Sequence, residues 1–276
     1  MCTLNIDCSL SPCAKEVMDM YCMLGLYRNI VGVTFFTDQY DYNQSSVQAI
    51  KTPLSYCSTV RMASLGYARK GAAEHVSCPG ARRALGLTPP NEEYLSGRRY
   101  MSLGMYRDIK CAREVSEQVS LMSESIYGFA TQPLLTCVVP PHVVVVICNP
   151  NQAMRMLQGY IHGHGVMPAI KCMGMQGVCS ELTVRPFQSK SINVSMLCSN
   201  TRYTCSWLDS EMGVGMPYSM LHEVVEGVAA TLNATESDRA KQTIAQRAVE
   251  MNMDVNVCAK TAYYLQPLIK NTGVEG

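Results

Sequence analysis

Fourteen cysteines and 19 methionines make sulfur the chemical signature of this 276-residue chain. Thiolates are soft ligands that suit zinc and iron–sulfur clusters, and an activated thiolate is a nucleophile or redox centre. The chain contains no Cys-x-x-Cys, so a thioredoxin-like dithiol or a zinc-ribbon knuckle finds no support. The thiols are dispersed instead. Cys179 and Cys198, for example, lie at either end of "GVCSELTVRPFQSKSINVSMLC". Without further support any one of them reads as a buried small hydrophobe.

Two other groupings could do chemistry. "IHGHG" places His162 and His164 two residues apart, able to share a metal with Cys172 or Cys179 if the backbone is extended there. At a helix end the same histidines are solvated cations facing the last carbonyls, and that reading is preferred. "SGRRYMSLGMYRDIKCAR" carries Arg98, Arg99, Arg107, Lys110 and Arg113, which could receive an anionic substrate or simply form a solvated helix face. No Gly-x-Gly-x-x-Gly, Walker-type Gly-Lys-Ser/Thr or Gly-x-Ser-x-Gly is present, so ordinary nucleotide chemistry and serine hydrolysis are unsupported.

These residues need elements to position them. "SPCAKEVMDMYCMLGL" predicts a helix with Ser11 as N-cap, Pro12 in its first turn and Gly25 as its stop. "IVGVTFF" predicts a strand, and "SYCSTVRMASLGYARKG" a helix over 55–71. "MYRDIKCAREVSEQVSLM" has apolar residues in steps of three and four, which predicts an amphipathic helix. "HVVVVICNP" is apolar without alternation, which suits a strand covered on both faces. Asn149 then caps, and Pro150 opens, a helix through "NQAMRMLQGYIHGHG". "MPAIKCMGM" and "INVSMLC" are further strand candidates, and "YSMLHEVVEGVAATL" and "ESDRAKQTIAQRAVEMN" further helices, the last expected at the surface.

The expected fold class is α/β, with mixed sheets and helices in one compact unit over 1–276. A faint repeat matches strand, helix and "RM…GY" in the two halves. Gly71 to Cys78 and Gly165 to Cys172 are equally spaced. It suggests two similar lobes, 1–130 and 131–276, facing each other across a ligand site.

With 47% hydrophobic and 16% charged residues the chain can build a large core. A net charge of +1 offers no electrostatic footprint for nucleic acid. No export signal or membrane-spanning segment is legible, so a cytoplasmic location is expected, where structural disulfides are not the default.

Six stretches in order, "PLSYCSTVRMASLG", "HVSCPGARRALGL", "PPHVVVVICNPNQAMRMLQG", "GMQGVCSE", "NVSMLCSNTR" and "DSEMGVGMPYSMLHEVVE", resemble the uncharacterised ArCR family, domain of unknown function 169. The resemblance spans roughly 30–230. It implies no activity but ranks residues: Cys57, Cys78, Cys179 and Cys198 fall on its cysteine motifs. Arg61, Gly80, Pro150, Arg155, Arg202, Glu211 and Pro217 match other motif positions. The chain departs from the family's Pro-Cys-Pro-Gly at "LCSN", and Cys2, Cys8 and Cys13 lie outside the resemblance. Four thiols, two from each half, are the right number for an iron–sulfur cluster or tetrahedral zinc.

The function expected is therefore a cytoplasmic iron–sulfur or metal-binding redox protein of anaerobic metabolism. It would pass electrons to a small-molecule substrate or a redox partner protein, with Arg155 and Arg202 near the cofactor. The alternatives are a small-molecule or cofactor-binding module without its own catalysis, and a zinc-stabilised scaffold for partner proteins. No nucleic-acid or membrane partner is expected.

Overall fold

The computed structural model describes residues 11–253; Cys2 and Cys8 lie outside the described residues. Along the chain run α1 (Ala14–Leu24), β1 (Val31–Phe36), α2 (Gln39–Gln44), α3 (Tyr56–Ser64), β2 (Arg69–Ala72), α4 (Pro79–Ala84), α5 (Glu92–Leu95), α6 (Arg98–Met101) and α7 (Ile109–Gln118). Next come β3 (Gly128–Pro133), β4 (Val143–Cys148), α8 (Pro150–His164), a π-helical stretch over Gly177–Val184, and α9 (Arg185–Ser189). They are followed by β5 (Asn193–Ser195), α10 (Ser199–Cys205), β6 (Met212–Pro217), α11 (Leu221–Ala230), α12 (Leu232–Thr235) and α13 (Asp238–Glu250).

The six strands form one sheet, ordered β2-β3-β1-β4-β6-β5, in which every neighbouring pair is antiparallel. Its strands are covered on both faces. From β4, Val144, Val146 and Cys148 enter one core with α1, α8, α11 and α13, while Val143, Val145 and Ile147 enter a second with α3, α4 and the π-helix. A strand buried on both sides has no reason to alternate, and all six residues of β4 are buried. A smaller cluster of Tyr94, Tyr100, Ala112, Val119 and Met175 gathers α5, α6 and α7 beside the second core.

Local chemistry explains most boundaries. Asn149 accepts from the Gln152 N–H at 2.9 Å, and Gln152 returns a bond to the Asn149 N–H, a capping box with Pro150 in its first position. Gly25 ends α1 in the left-handed region, as expected. Close packing of α8 on α11 depends on glycine: a Cβ on Gly227 would stand 2.0 Å from the Gly159 carbonyl oxygen.

Several sequence expectations need correction. Cys13, not Ser11, occupies the N-cap of α1, because the Ser11 hydroxyl is spent on the Leu134 carbonyl at 3.1 Å. The helix expected over 55–71 stops at Ser64, and 69–72 is strand β2. Gly66, at φ +102, makes the break. "MPAIKCMGM" forms no strand; Asn193 instead bonds both the N–H and the carbonyl of Lys171 through its side chain. The polar helix α13 buries Ile244, Ala245 and Ala248 and packs on α1.

The structure does not confirm two similar facing lobes. Strands from both halves join the one sheet, and β3 crosses the boundary between them at residue 130. The repeat read from sequence matched α3 to α8, but these pack on opposite faces. A twofold exchanging the antiparallel neighbours β1 and β4 is normal to the sheet and preserves its faces, so it cannot carry α3 onto α8. The second-half elements on the face of α3 include the π-helix and α10.

A candidate thiol-lined site

The second face of the sheet carries a cavity of about 720 Å³, bounded by α3, α4, α6, the π-helix and α10. Cys57, Cys78, Cys179 and Cys198 all line it. Cys57 rides in the first turn of α3, whose N-cap Ser55 accepts from the Ser58 N–H. Cys78 occupies the N-cap of α4, immediately before Pro79. Cys179 lies in the π-helix, and Cys198 at the N-cap of α10. Each half thus supplies one thiol from a helix after its first strand and one from the start of the helix after its second.

The backbone is strained where the second pair is presented. Gln176, which opens the π-helix, has φ +50, and Leu197, just before Cys198, has φ +69. Non-glycine residues held there cost energy and concentrate at functional sites, as do π-helical turns.

The thiols are electrostatically linked. Thr201 Oγ1 lies 3.1 Å from Cys198 Sγ and 3.3 Å from Cys57 Sγ. Cys198 is pulled down to about 5, first by the S–H of Cys57 and then by Thr201 and the backbone N–H groups of Gly177 and Thr201, against burial. Cys57 moves the other way: Cys198 and Cys205 both draw on its proton, and burial adds to the effect. Cys179 is pushed well up by burial, then by Cys78 and Cys198. Cys205 is lowered by Cys57 and by its hydroxyl neighbours Ser55 and Ser58, 3.0 and 3.3 Å away. One S–H cannot serve two sulfurs at once, so Cys198 and Cys205 compete for Cys57.

Nothing in the sequence singles out Cys205 among the 14 cysteines. Only the meeting of α10 with α3 reveals its partners. Among the described residues, no three of His, Cys, Asp and Glu converge closely enough to hold a single metal ion.

Arg155 and Arg202 do not reach the cavity. Arg155 lies on the opposite face, 2% exposed, paired with Glu236 at 2.7 Å and bonded to Val228 O and Thr231 Oγ1. It ties α8 to the end of α11. Arg202 spends its donors on the carbonyls of Leu208, Met196 and Glu211. His164 pairs with Glu223 on α11, and Cys172 is exposed, so neither builds the mixed His/Cys site. Arg107 pairs with Asp108 outside the cavity, whereas Arg99 does line it.

Three residues ranked by the resemblance meet one another instead. Glu211, 1% exposed, accepts from Arg28 Nε at 3.0 Å, Arg61 Nη1 at 3.1 Å and the Leu208 N–H at 2.6 Å, while Arg202 caps its carbonyl. This knot anchors the C-terminal end of α3 to the loop after α10.

A second buried carboxylate braces the π-helix. Glu181, 1% exposed, accepts from the Met173 N–H at 2.5 Å and from Ser195 Oγ. Burial pushes its carboxyl up to about 7 despite those bonds, with Cys198 adding to the rise. The folded state therefore binds this proton more tightly than the unfolded chain does. The resulting stabilisation is complete below pH 4.5 and lost as pH rises to about 7. Wild type is expected to lose about 2–3 kcal/mol over that window relative to Glu181→Gln, which cannot titrate. Denaturant titrations of both proteins across the window check this; parallel curves would refute it.

Residues 19–227 match the model of a family described as uncharacterised ArCR, and the chain belongs to that family. A relative of the same uncharacterised standing, from Methanocaldococcus jannaschii, is 25% identical over 176 residues, which cover 63% of this chain and 75% of that protein. No solved structure matches the chain. No helix among the described residues is long and apolar enough to cross a membrane.

Proposed function

We propose that this member of the ArCR family holds an iron–sulfur cluster on Cys57, Cys78, Cys179 and Cys198. The observation that carries the reading is the convergence of these four thiols, from four separate elements, on one cavity whose lining contains no His, Asp or Glu. An all-thiolate donor set is the usual one for iron–sulfur clusters. A cluster is wider than one ion, so its ligands need not close into the tight cage that zinc requires, and the described residues supply no such cage.

The chain's own groups prepare the site. Its donors draw Cys198 toward the thiolate, while Cys57 and Cys179 are shifted toward the protonated form, whose protons ligation must displace. A bound cluster would supply one-electron transfer, and the cavity gives a small molecule or the surface of a partner protein access to it. The test is purification under argon followed by iron and acid-labile sulfide analysis and a visible spectrum. Iron and sulfide are expected, lost in Cys57→Ser or Cys179→Ser and kept in Cys172→Ser. A colourless protein that reconstitution leaves iron-free would sink the reading.

The cavity's volume favours a second reading, a small-molecule binding module without its own chemistry, since ligand pockets are of this size. An organic molecule released on denaturation of metal-free protein would support it. About one zinc and no iron per chain would instead indicate the zinc-stabilised scaffold.

A further inference from the structure

The cavity lining also includes Tyr94, Tyr100, Arg99 and Gln176. Arg99 is the one cationic residue in the lining. Behind the tyrosines lies a second cation. Arg83, on α4, is 3% exposed. Its guanidinium carbon sits 4.5 Å from the Tyr94 ring centroid, and its Nη2 donates to Tyr100 Oη at 3.0 Å. The Gln176 amide is satisfied when its oxygen accepts from Tyr100 and Arg83 and its nitrogen donates to the Gly80 carbonyl at 3.2 Å. Arg83 Nε and Nη1 have no hydrogen-bond partner, and no carboxylate pairs with it among the described residues.

A buried charge without a counter-charge is costly, and proteins keep one where it meets an opposite charge. Arg83 passes its field to the cavity through the two aromatic residues that it touches. The Tyr100 phenol is polarised by the guanidinium bonded to it, and Arg99 adds charge at the mouth. No lining residue opposes them with a carboxylate. The thiol wall and the cationic wall face one space, which places an anion-binding end directly beside the sulfur ligands.

We propose that the tyrosine–arginine end of the cavity receives the carboxylate or phosphate group of a small organic anion, held by Arg99 with the buried Arg83 charge behind the Tyr94 and Tyr100 rings. This names the substrate class of the site proposed above and rests on that reading for its chemistry, though not for binding. Arg99 touches the anion. Arg83 acts through Tyr100 and is a positioning residue.

The experiment is isothermal titration of the full-length protein, iron-free and reconstituted, at constant ionic strength. Inorganic phosphate, succinate and uncharged succinamide are the probes. Phosphate or succinate is expected to bind, and which of them does so separates the two anion chemistries. Arg99→Gln is expected to weaken that binding about tenfold or more, the loss of one charge-assisted contact. Arg83→Lys, which keeps the buried charge, is expected to bind more tightly than Arg83→Gln. Should the glutamine variant fail to fold, Arg99→Gln alone decides, because its side chain is exposed. Binding of succinamide as tight as that of succinate, or anion binding unchanged in Arg99→Gln, overturns the proposal. Anion binding by a protein that takes up no iron defeats only the cluster; iron uptake without anion binding defeats only this inference.

Discussion

Glu211→Gln is expected to destabilise the protein by about 3 kcal/mol, the lower end of what breaking a buried ion pair costs. The substitution keeps the shape of the side chain but removes the charge shared by Arg28 and Arg61 and turns an NH₂ toward donors. The lower end applies because the side chains of the two arginines remain 14% and 16% exposed and recover some hydration. Burial alone would raise this carboxyl, but the Leu208 N–H and the two arginines outweigh it and hold it below its usual value. Its contribution is therefore present at neutral pH and lost as pH falls through the depressed value, opposite in sign to that of Glu181. Urea denaturation at neutral pH measures the first effect; a loss under about 1 kcal/mol would show that the knot does not anchor α3.

Gly215→Ala is expected to cost a further 2–3 kcal/mol or more, at the high end of overpacking, and to impair iron uptake. On β6, Met212, Val214 and Met216 face the first core, while Gly213 and Gly215 face the π-helix. A Cβ on Gly215 would stand 2.1 Å from the carbonyl oxygen of Leu182, backbone that cannot turn aside. The π-helix would have to lift, taking Cys179 with it. Gly213→Ala is the control, because its obstacle is the Leu182 side-chain methyl at 2.2 Å, which can rotate. Stability and iron content of the two variants decide the matter. Equal effects would mean that the π-helix is not held by its backbone contact with Gly215.

These glycines also show why parts of the fold were hidden. "MGVGMP" reads as a turn when glycine is taken as a breaker, yet glycine at every second position is the period of a strand whose one face must admit another backbone. Nothing local signals β3, and the π-helix carries no pattern of its own because all eight of its residues are buried. Elements with local signals were legible: β1, β4, the Asn149 cap and Pro150 start of α8, and the stop of α1 at Gly25.

The candidate site divides along the same line. The resemblance ranked the four cysteines, and the fold brings them to one cavity. It ranked Arg155, Arg202 and Glu211 equally, and the fold sends all three to structural bonds. Arg83, Tyr94 and Tyr100 carried no signal, since an arginine in "PGARRALG" reads as solvated until α4 buries it. By itself the sequence determined composition, the hydrophobic runs and the caps, because those depend on neighbours within a turn or two of the chain. Which thiols share a space, which charges are buried without partners, and which face each helix covers were decided by tertiary structure. Those properties arise only when residues more than a hundred positions apart, such as Cys57 and Thr201, are packed together and water is removed from between them.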